Sequence, residues 1–149
     1  MAIEPAWIDY NGHLNMAYYN VLFDRNSDAA FAALGLGPAY AERRRLTTFV
    51  AETHVCYVRE LRYGDEVVGS FRLLDRDGKR LHFFQELHHA DEGWLAATSE
   101  SLALHVDMSG PKVCPFPPDI KQNIDRMFCD HSTLPRPARA GKAVGLGKG

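Results

Sequence analysis

Apolar residues in the first third of the chain, Met16, Tyr19, Phe23, Ala30 and Leu34, recur at roughly helical spacing. That is the pattern of a helix laying one face on another layer. Asn15 is a good N-cap type, and Gly35 and Gly37 supply a stop, so a helix is predicted from about 15 to 34. Asn26 and Ser27 interrupt the stripe, which predicts a buried but not purely apolar helix. Pro38 to Arg45 reads as a short polar helical turn ending in Arg43, Arg44 and Arg45. From Leu46 the period falls to about two. Four strands are predicted at 47–60, 65–76, 79–90 and 94–107, separated by Tyr63-Gly64-Asp65, by Asp75 to Lys79 and by Asp91-Glu92-Gly93. Connections of that kind predict hairpins and a meander, with the preceding helix as the one long apolar element to cover a face. Ile120, Ile124, Met127 and Phe128 then predict a short amphipathic C-terminal helix. The expected architecture is α+β, one domain over 1–131, with an extended or mobile tail over 132–149.

Composition narrows the function class. The 149 residues are 46% hydrophobic and 24% charged, as in one soluble globular domain. Seventeen Lys and Arg against 19 Asp and Glu give a net charge of −2, so no broad positive field exists for nucleic acid or an anionic membrane. No apolar run approaches the ~20 residues of a membrane span, and Glu4 and Asp9 stand where a secretory signal would be basic. Cys56, Cys114 and Cys129 are odd in number and form no CxxC pair, which fits free thiols in a reducing, cytoplasmic setting.

The densest group of chemically useful residues is Trp7-Ile8-Asp9-Tyr10-Asn11-Gly12-His13-Leu14-Asn15-Met16-Ala17-Tyr18-Tyr19, just ahead of the first helix. A carboxylate, a glycine that lets the chain turn tightly and a helix N-terminus place an anion near unpaired backbone N–H groups. Acyl transfer needs that combination: donors aimed at a developing oxyanion, and a carboxylate that attacks a carbonyl or directs water at it. The same residues also have plain structural uses. Asp9 favours a turn and the helix dipole, Asn15 serves as a cap, and His13 fits a hydrogen bond within the turn.

The pattern D-x-x-G-H-x-N-x-x-x-Y, present as Asp9, Gly12, His13, Asn15 and Tyr19, resembles the N-terminal signature of the hot-dog-fold acyl-CoA thioesterases of the 4-hydroxybenzoyl-CoA thioesterase type. The likeness continues through Glu52-Thr53-His54, Tyr57 to Leu61, Gly64-Asp65, Lys79 to His82, Leu104 to Asp107 and Pro115-Phe116-Pro117, over roughly residues 3–137. In detail it is most similar to the betainyl-CoA thioesterases, including those fused to carnitine dehydrogenases. The resemblance implies a long helix wrapped by an antiparallel sheet, and homodimers joined edge to edge, with pairing into tetramers open. It also implies an active site at the dimer interface beside the helix N-terminus. It places Asp9 at the catalytic carboxylate, with His13 and Asn15 beside it and main-chain N–H groups of Met16 and Ala17 as oxyanion donors. Attack by Asp9 and general-base delivery of water both fit. The acyl-CoA thioester is the substrate, and no cofactor is expected.

Betaine carries a quaternary ammonium that takes no hydrogen bond, so aromatic faces are the expected recognition groups. Trp7, Tyr18 and Tyr19 are candidates, as are Glu52 and His54, which share one face of a strand. Tyr57 falls on the opposite face. Aromatics at such spacings also serve the core, and a strand carboxylate is also found solvated. Arg59, Lys79 and Arg80 are candidates for the coenzyme A phosphates.

Other readings are weaker. His82, His88 and His89 with His54 or His105 suggest a metal, but HxH, HExxH and CxxC spacings are absent and His88 and His89 point to opposite faces, so none is expected. A hot-dog hydratase would need a histidine motif that is missing. Cys114 has no recognisable base beside it. A non-catalytic acyl-CoA-binding module would use the same cleft without releasing thiol.

Overall fold

The computed structural model describes residues 1–146. A 3-10 turn at Pro5–Trp7 leads to α1 (Met16–Leu34), α2 (Pro38–Arg44), β1 (Leu46–Tyr57), β2 (Val67–Arg76), β3 (Arg80–His89), β4 (Leu95–Asp107), β5 (Lys112–Val113) and α3 (Pro118–Ser132). The architecture is α+β, a long N-terminal helix on an antiparallel sheet with a C-terminal helix beside it. Asn15 caps α1 as expected, its Oδ1 accepting the Ala17 N–H at 3.0 Å. No helix among the described residues is long and apolar enough to cross a membrane.

The sheet order is β1-β4-β3-β2, with β5 added beyond β4. Two of the three expected hairpins, β2–β3 and β3–β4, are present. The first is not: β1 pairs with β4, from Leu46↔Asp107 to Tyr57↔Ala97. The segment 58–66 instead passes over the ends of β4 and β3, with Val58 and Arg59 both donating to the Ala96 carbonyl. The Gly64 turn lies inside this crossing, where Asp65 N–H meets the Arg62 carbonyl and Asp65 Oδ2 accepts the Arg62 N–H. Crossing two intervening strands needs about 14 Å, which nine residues span easily. The β5 strand has only two residues, too few to show a period.

Alternate residues of β2, β3 and β4 turn inward to make two clusters under α1. One gathers Tyr19, Leu22, Phe23, Leu61, Leu87 and Ala97 around the helix start. The other gathers Leu34, Leu73, Leu81, Phe83, Ile120 and Ile124 around its end. α3 therefore shares the covering of the sheet that the sequence suggested for α1 alone. Between the clusters, the Asn26 amide donates to Gln85 Oε1 at 2.7 Å and to the Ser70 carbonyl at 2.9 Å. The polar break in the helical stripe is thus a clamp onto the sheet.

The two sheet edges differ. Along β2, Val67 N–H meets the Met1 carbonyl, Ile3 N–H meets the Asp65 carbonyl, and Leu73 N–H meets His131 Nδ1 at 3.0 Å. The β1 edge has no strand partner among the described residues, and it exposes Phe49 (51%) and Val50 (54%) beside a bulge. After α3 no helix or strand forms up to Leu146. This segment lies on the sheet face away from α1, where the Pro135 carbonyl accepts from Arg72 and Gly141 N–H reaches Glu100 Oε2 at 2.6 Å. Residues 147–149 of the expected tail lie outside the described residues.

His105 is fully buried. The Cys114 carbonyl only accepts, so Nδ1 carries the proton (3.0 Å), and Nε2 accepts from the Tyr40 hydroxyl at 2.8 Å. Burial lowers the pKa of His105 and raises that of Tyr40 to about 12. His131 is likewise held low by burial and then by Arg72. Both histidines resist a proton that the unfolded chain accepts below about pH 6.5, so they favour folding above that pH and the benefit is lost as pH falls through it. His88, raised by its bond to Glu86, acts in the opposite sense. Thermal unfolding is expected to show a lower Tm at about pH 5.5 than at about pH 7.5, with the gap narrowed in His131→Gln. An unchanged gap in that variant would exclude His131 as a source.

Candidate functional site

The loop before α1 is a closed, hydrogen-bonded turn. Asp9 N–H meets the His13 carbonyl at 2.9 Å, and Gly12 N–H meets the Asp9 carbonyl at 3.0 Å. Gly12 adopts φ 78, in the left-handed region that glycine enters without steric cost. Asp9 Oδ1 accepts the Asn11 N–H at 2.8 Å, while its other oxygen makes no hydrogen bond among the described residues. Below the turn, Asn15 N–H meets the Trp7 carbonyl (2.9 Å) and Leu14 N–H meets the Leu61 carbonyl (2.7 Å), so the loop is anchored to the segment that follows β1. Asp9 is half-buried.

At the helix mouth the two expected donors separate. Ala17 N–H is already bonded to Asn15 Oδ1, and Tyr18 N–H to the Asn15 carbonyl. Met16 N–H is left without a partner among the described residues. His13 gives its carbonyl to the loop. Glu60, at the start of the crossing segment, has its carboxyl held low first by its own backbone N–H and then by the nearby charges of His13, Arg62 and Arg59.

The aromatic candidates divide as well. Tyr19 is buried, with its hydroxyl accepting the Leu61 N–H at 3.1 Å, which makes it a support for the loop. Trp7 is buried too, stacked on Tyr18 at 5.4 Å and carrying the Arg25 guanidinium at 4.9 Å. Tyr57 lies on the strand face opposite Glu52 and His54. It arrives at the helix mouth, its hydroxyl donating to the Met16 carbonyl at 3.2 Å and its ring edge-to-face with Tyr19 at 5.1 Å.

Glu52 and His54 do share a face, but it is the face away from α1, set by their register opposite Leu102 and Glu100. There they line a cavity of about 570 Å³ with Arg76, Arg80, His82, Glu100 and residues 141–143. Asp9 is not part of it. Glu52, Asp75, Asp77 and Glu100 oppose Arg76, Arg80 and Lys142, so no surplus cation is offered to a phosphate. Arg76 already pairs with Asp125 at 2.8 Å and Arg80 with Asp77 at 2.6 Å. Lys79 and Arg80 sit at the β2–β3 turn, about 30 Å along β3 from its other end. Arg59 alone of the three basic candidates is at the helix-mouth end, its guanidinium 4.1 Å over Trp94. Among the described residues no three His, Cys, Asp or Glu side chains gather as a metal site.

Comparison with known proteins agrees with this architecture. The Thioesterase-like superfamily matches residues 3–124. A betainyl-CoA thioesterase of Pseudomonas aeruginosa is 34% identical over 144 residues, covering 97% of this chain and 91% of that protein. An L-carnitine dehydrogenase/betainyl-CoA thioesterase of Rhizobium meliloti is 35% identical over 143 residues, 96% of this chain, and the chain spans only 29% of that longer protein. A Staphylococcus aureus protein solved in complex with CoA superposes with a TM-score of 0.90 at 27% identity, over 99% of this chain and 92% of the other. With the Asp9 turn seated at the mouth of a helix that an antiparallel sheet carries, the chain belongs to the Thioesterase-like superfamily as a hot-dog thioesterase.

Proposed function

We propose that the protein hydrolyses betainyl-CoA to betaine and coenzyme A through Asp9. The observation that carries this reading is the half-buried Asp9 carboxylate, one oxygen fixed by its own turn and the other without a partner among the described residues, in the closed loop that leads into α1, whose first N–H, that of Met16, is also unpartnered there. Met16 N–H and the positive end of the helix polarise the thioester carbonyl. The free Asp9 oxygen then attacks the carbonyl carbon, expelling the CoA thiolate and leaving a mixed anhydride for water to open. Alternatively it takes a proton from a water that attacks the same carbon. Both routes end in a free acid and a thiol, and neither calls on a cofactor. Asn15 and His13 hold the turn in shape.

The assembly belongs to the same proposal. An unpaired strand edge exposing Phe49 and Val50 is suited to a second copy. Antiparallel pairing of β1 with its twin sets the Leu46 end of one copy beside the Tyr57 end of the other. In that arrangement Lys79 of one copy approaches the helix mouth of its twin, joining Arg59 for the CoA phosphates, while Arg80 stays paired with Asp77. The three free cysteines fit a cytoplasmic setting.

Steady-state thiol release is expected to give a higher kcat/KM for betainyl-CoA than for 4-hydroxybenzoyl-CoA or short aliphatic acyl-CoAs. Sedimentation at micromolar concentration is expected to show at least two copies. Binding of betainyl-CoA without thiol release would make the protein a binding module, and a monomer would remove the assembly.

A further inference from the structure

Resting on the betainyl-CoA reading, the substrate places a trimethylammonium one methylene from the carbonyl that Met16 N–H polarises. A helix N-terminus disfavours a cation there. Something negative but not hydrogen-bonding must offset it, and the face of an aromatic ring has that property.

We infer that Tyr57 presents the ring face that selects the quaternary ammonium of the substrate. Two other rings at this end of the molecule are already covered. Trp7 has Tyr18 stacked on it and Arg25 over its ring, and Trp94 has His89 stacked at 4.8 Å and Arg59 over it at 4.1 Å. Tyr19 is buried among apolar neighbours, and Tyr10 stands 97% exposed in the turn. Tyr57 is 45% exposed, and its single aromatic neighbour, Tyr19, meets it at an interplanar angle of 78°, which leaves at least one face uncovered by another ring. Its hydroxyl bond to the Met16 carbonyl at 3.2 Å holds the ring beside the first turn of α1.

The test compares betainyl-CoA with 3,3-dimethylbutanoyl-CoA, in which carbon replaces the charged nitrogen at nearly the same shape. In Tyr57→Leu, kcat/KM for betainyl-CoA is expected to fall about tenfold, mainly through KM, with less than about a twofold change for the neutral substrate. Tyr57→Phe should keep the preference. Should the leucine variant fold poorly by circular dichroism or lose its assembly state by sedimentation, pentafluorophenylalanine at position 57 provides the second measurement. It keeps a ring of similar size and reverses its face potential, and is expected to lower the betainyl-CoA rate selectively. Equal losses on both substrates, in either replacement, overturn the role of Tyr57 while the substrate reading stands. A wild-type protein that does not turn over betainyl-CoA overturns the substrate reading, and this inference with it.

Discussion

Asp9→Asn is expected to lower kcat about 10²- to 10⁴-fold with the Tm almost unchanged. The substitution suits this site because the turn and the chemistry use the side chain differently. Oδ1 accepts the Asn11 N–H, and an asparagine carbonyl does the same, so the loop keeps its shape. Attack on a carbonyl and abstraction of a proton from water both need an ionised oxygen, which the amide lacks. Asp9→Ala removes the turn acceptor too, and should cost about 1 kcal/mol of stability in addition to activity. Stopped thiol release with an unshifted melting curve for Asp9→Asn, and a lowered curve for Asp9→Ala, would separate the two roles. Full turnover in Asp9→Asn would move the chemistry to another residue.

The second large effect is expected at Gly69, where β2 passes under α1. A methyl group added there would overlap the Asn26 amide, which is tied to Gln85 and to the Ser70 carbonyl. Moving that amide leaves the buried Gln85 side chain without its partner, so Gly69→Ala should destabilise the fold by about 2–4 kcal/mol in chemical denaturation. The cause is separable by a double-mutant cycle. In an Asn26→Ala background the methyl group has room, and Gly69→Ala should cost under about 1 kcal/mol. Additive losses would place the cost elsewhere.

Much of this architecture was legible in the sequence because its signals are local. Asn15 and Gly35 mark the ends of α1, and the apolar spacing of Ile120, Ile124 and Met127 marks α3. The Asp9 turn is a run of neighbours, so its parts arrive together however the rest of the chain folds. Signals that depend on distant partners were not legible. Alternation placed Glu52 and His54 on one side of β1 and Tyr57 on the other, but only the pairing of β1 with β4 decides which side meets the helix. The Gly64 turn resembles a hairpin, yet nothing near it tells that β1 has β4 for a neighbour. Asn26 interrupts a stripe in sequence, and its use appears only when Gly69 is brought beneath it. Ala17 was a reasonable oxyanion donor until the cap geometry gave its N–H to Asn15.

The chain has two tryptophans, and both pack at the helix-mouth end of the sheet, Trp7 in the first apolar cluster and Trp94 against it. Intrinsic ultraviolet emission is therefore a spatially selective signal in this protein, sensitive to events near the Asp9 turn and nearly silent about the cavity on the opposite sheet face. Each indole stacks on a second ring, Trp7 on Tyr18 and Trp94 on His89, so their near-ultraviolet dichroism provides a label-free gauge of whether that end of the molecule stays ordered when a substitution is made.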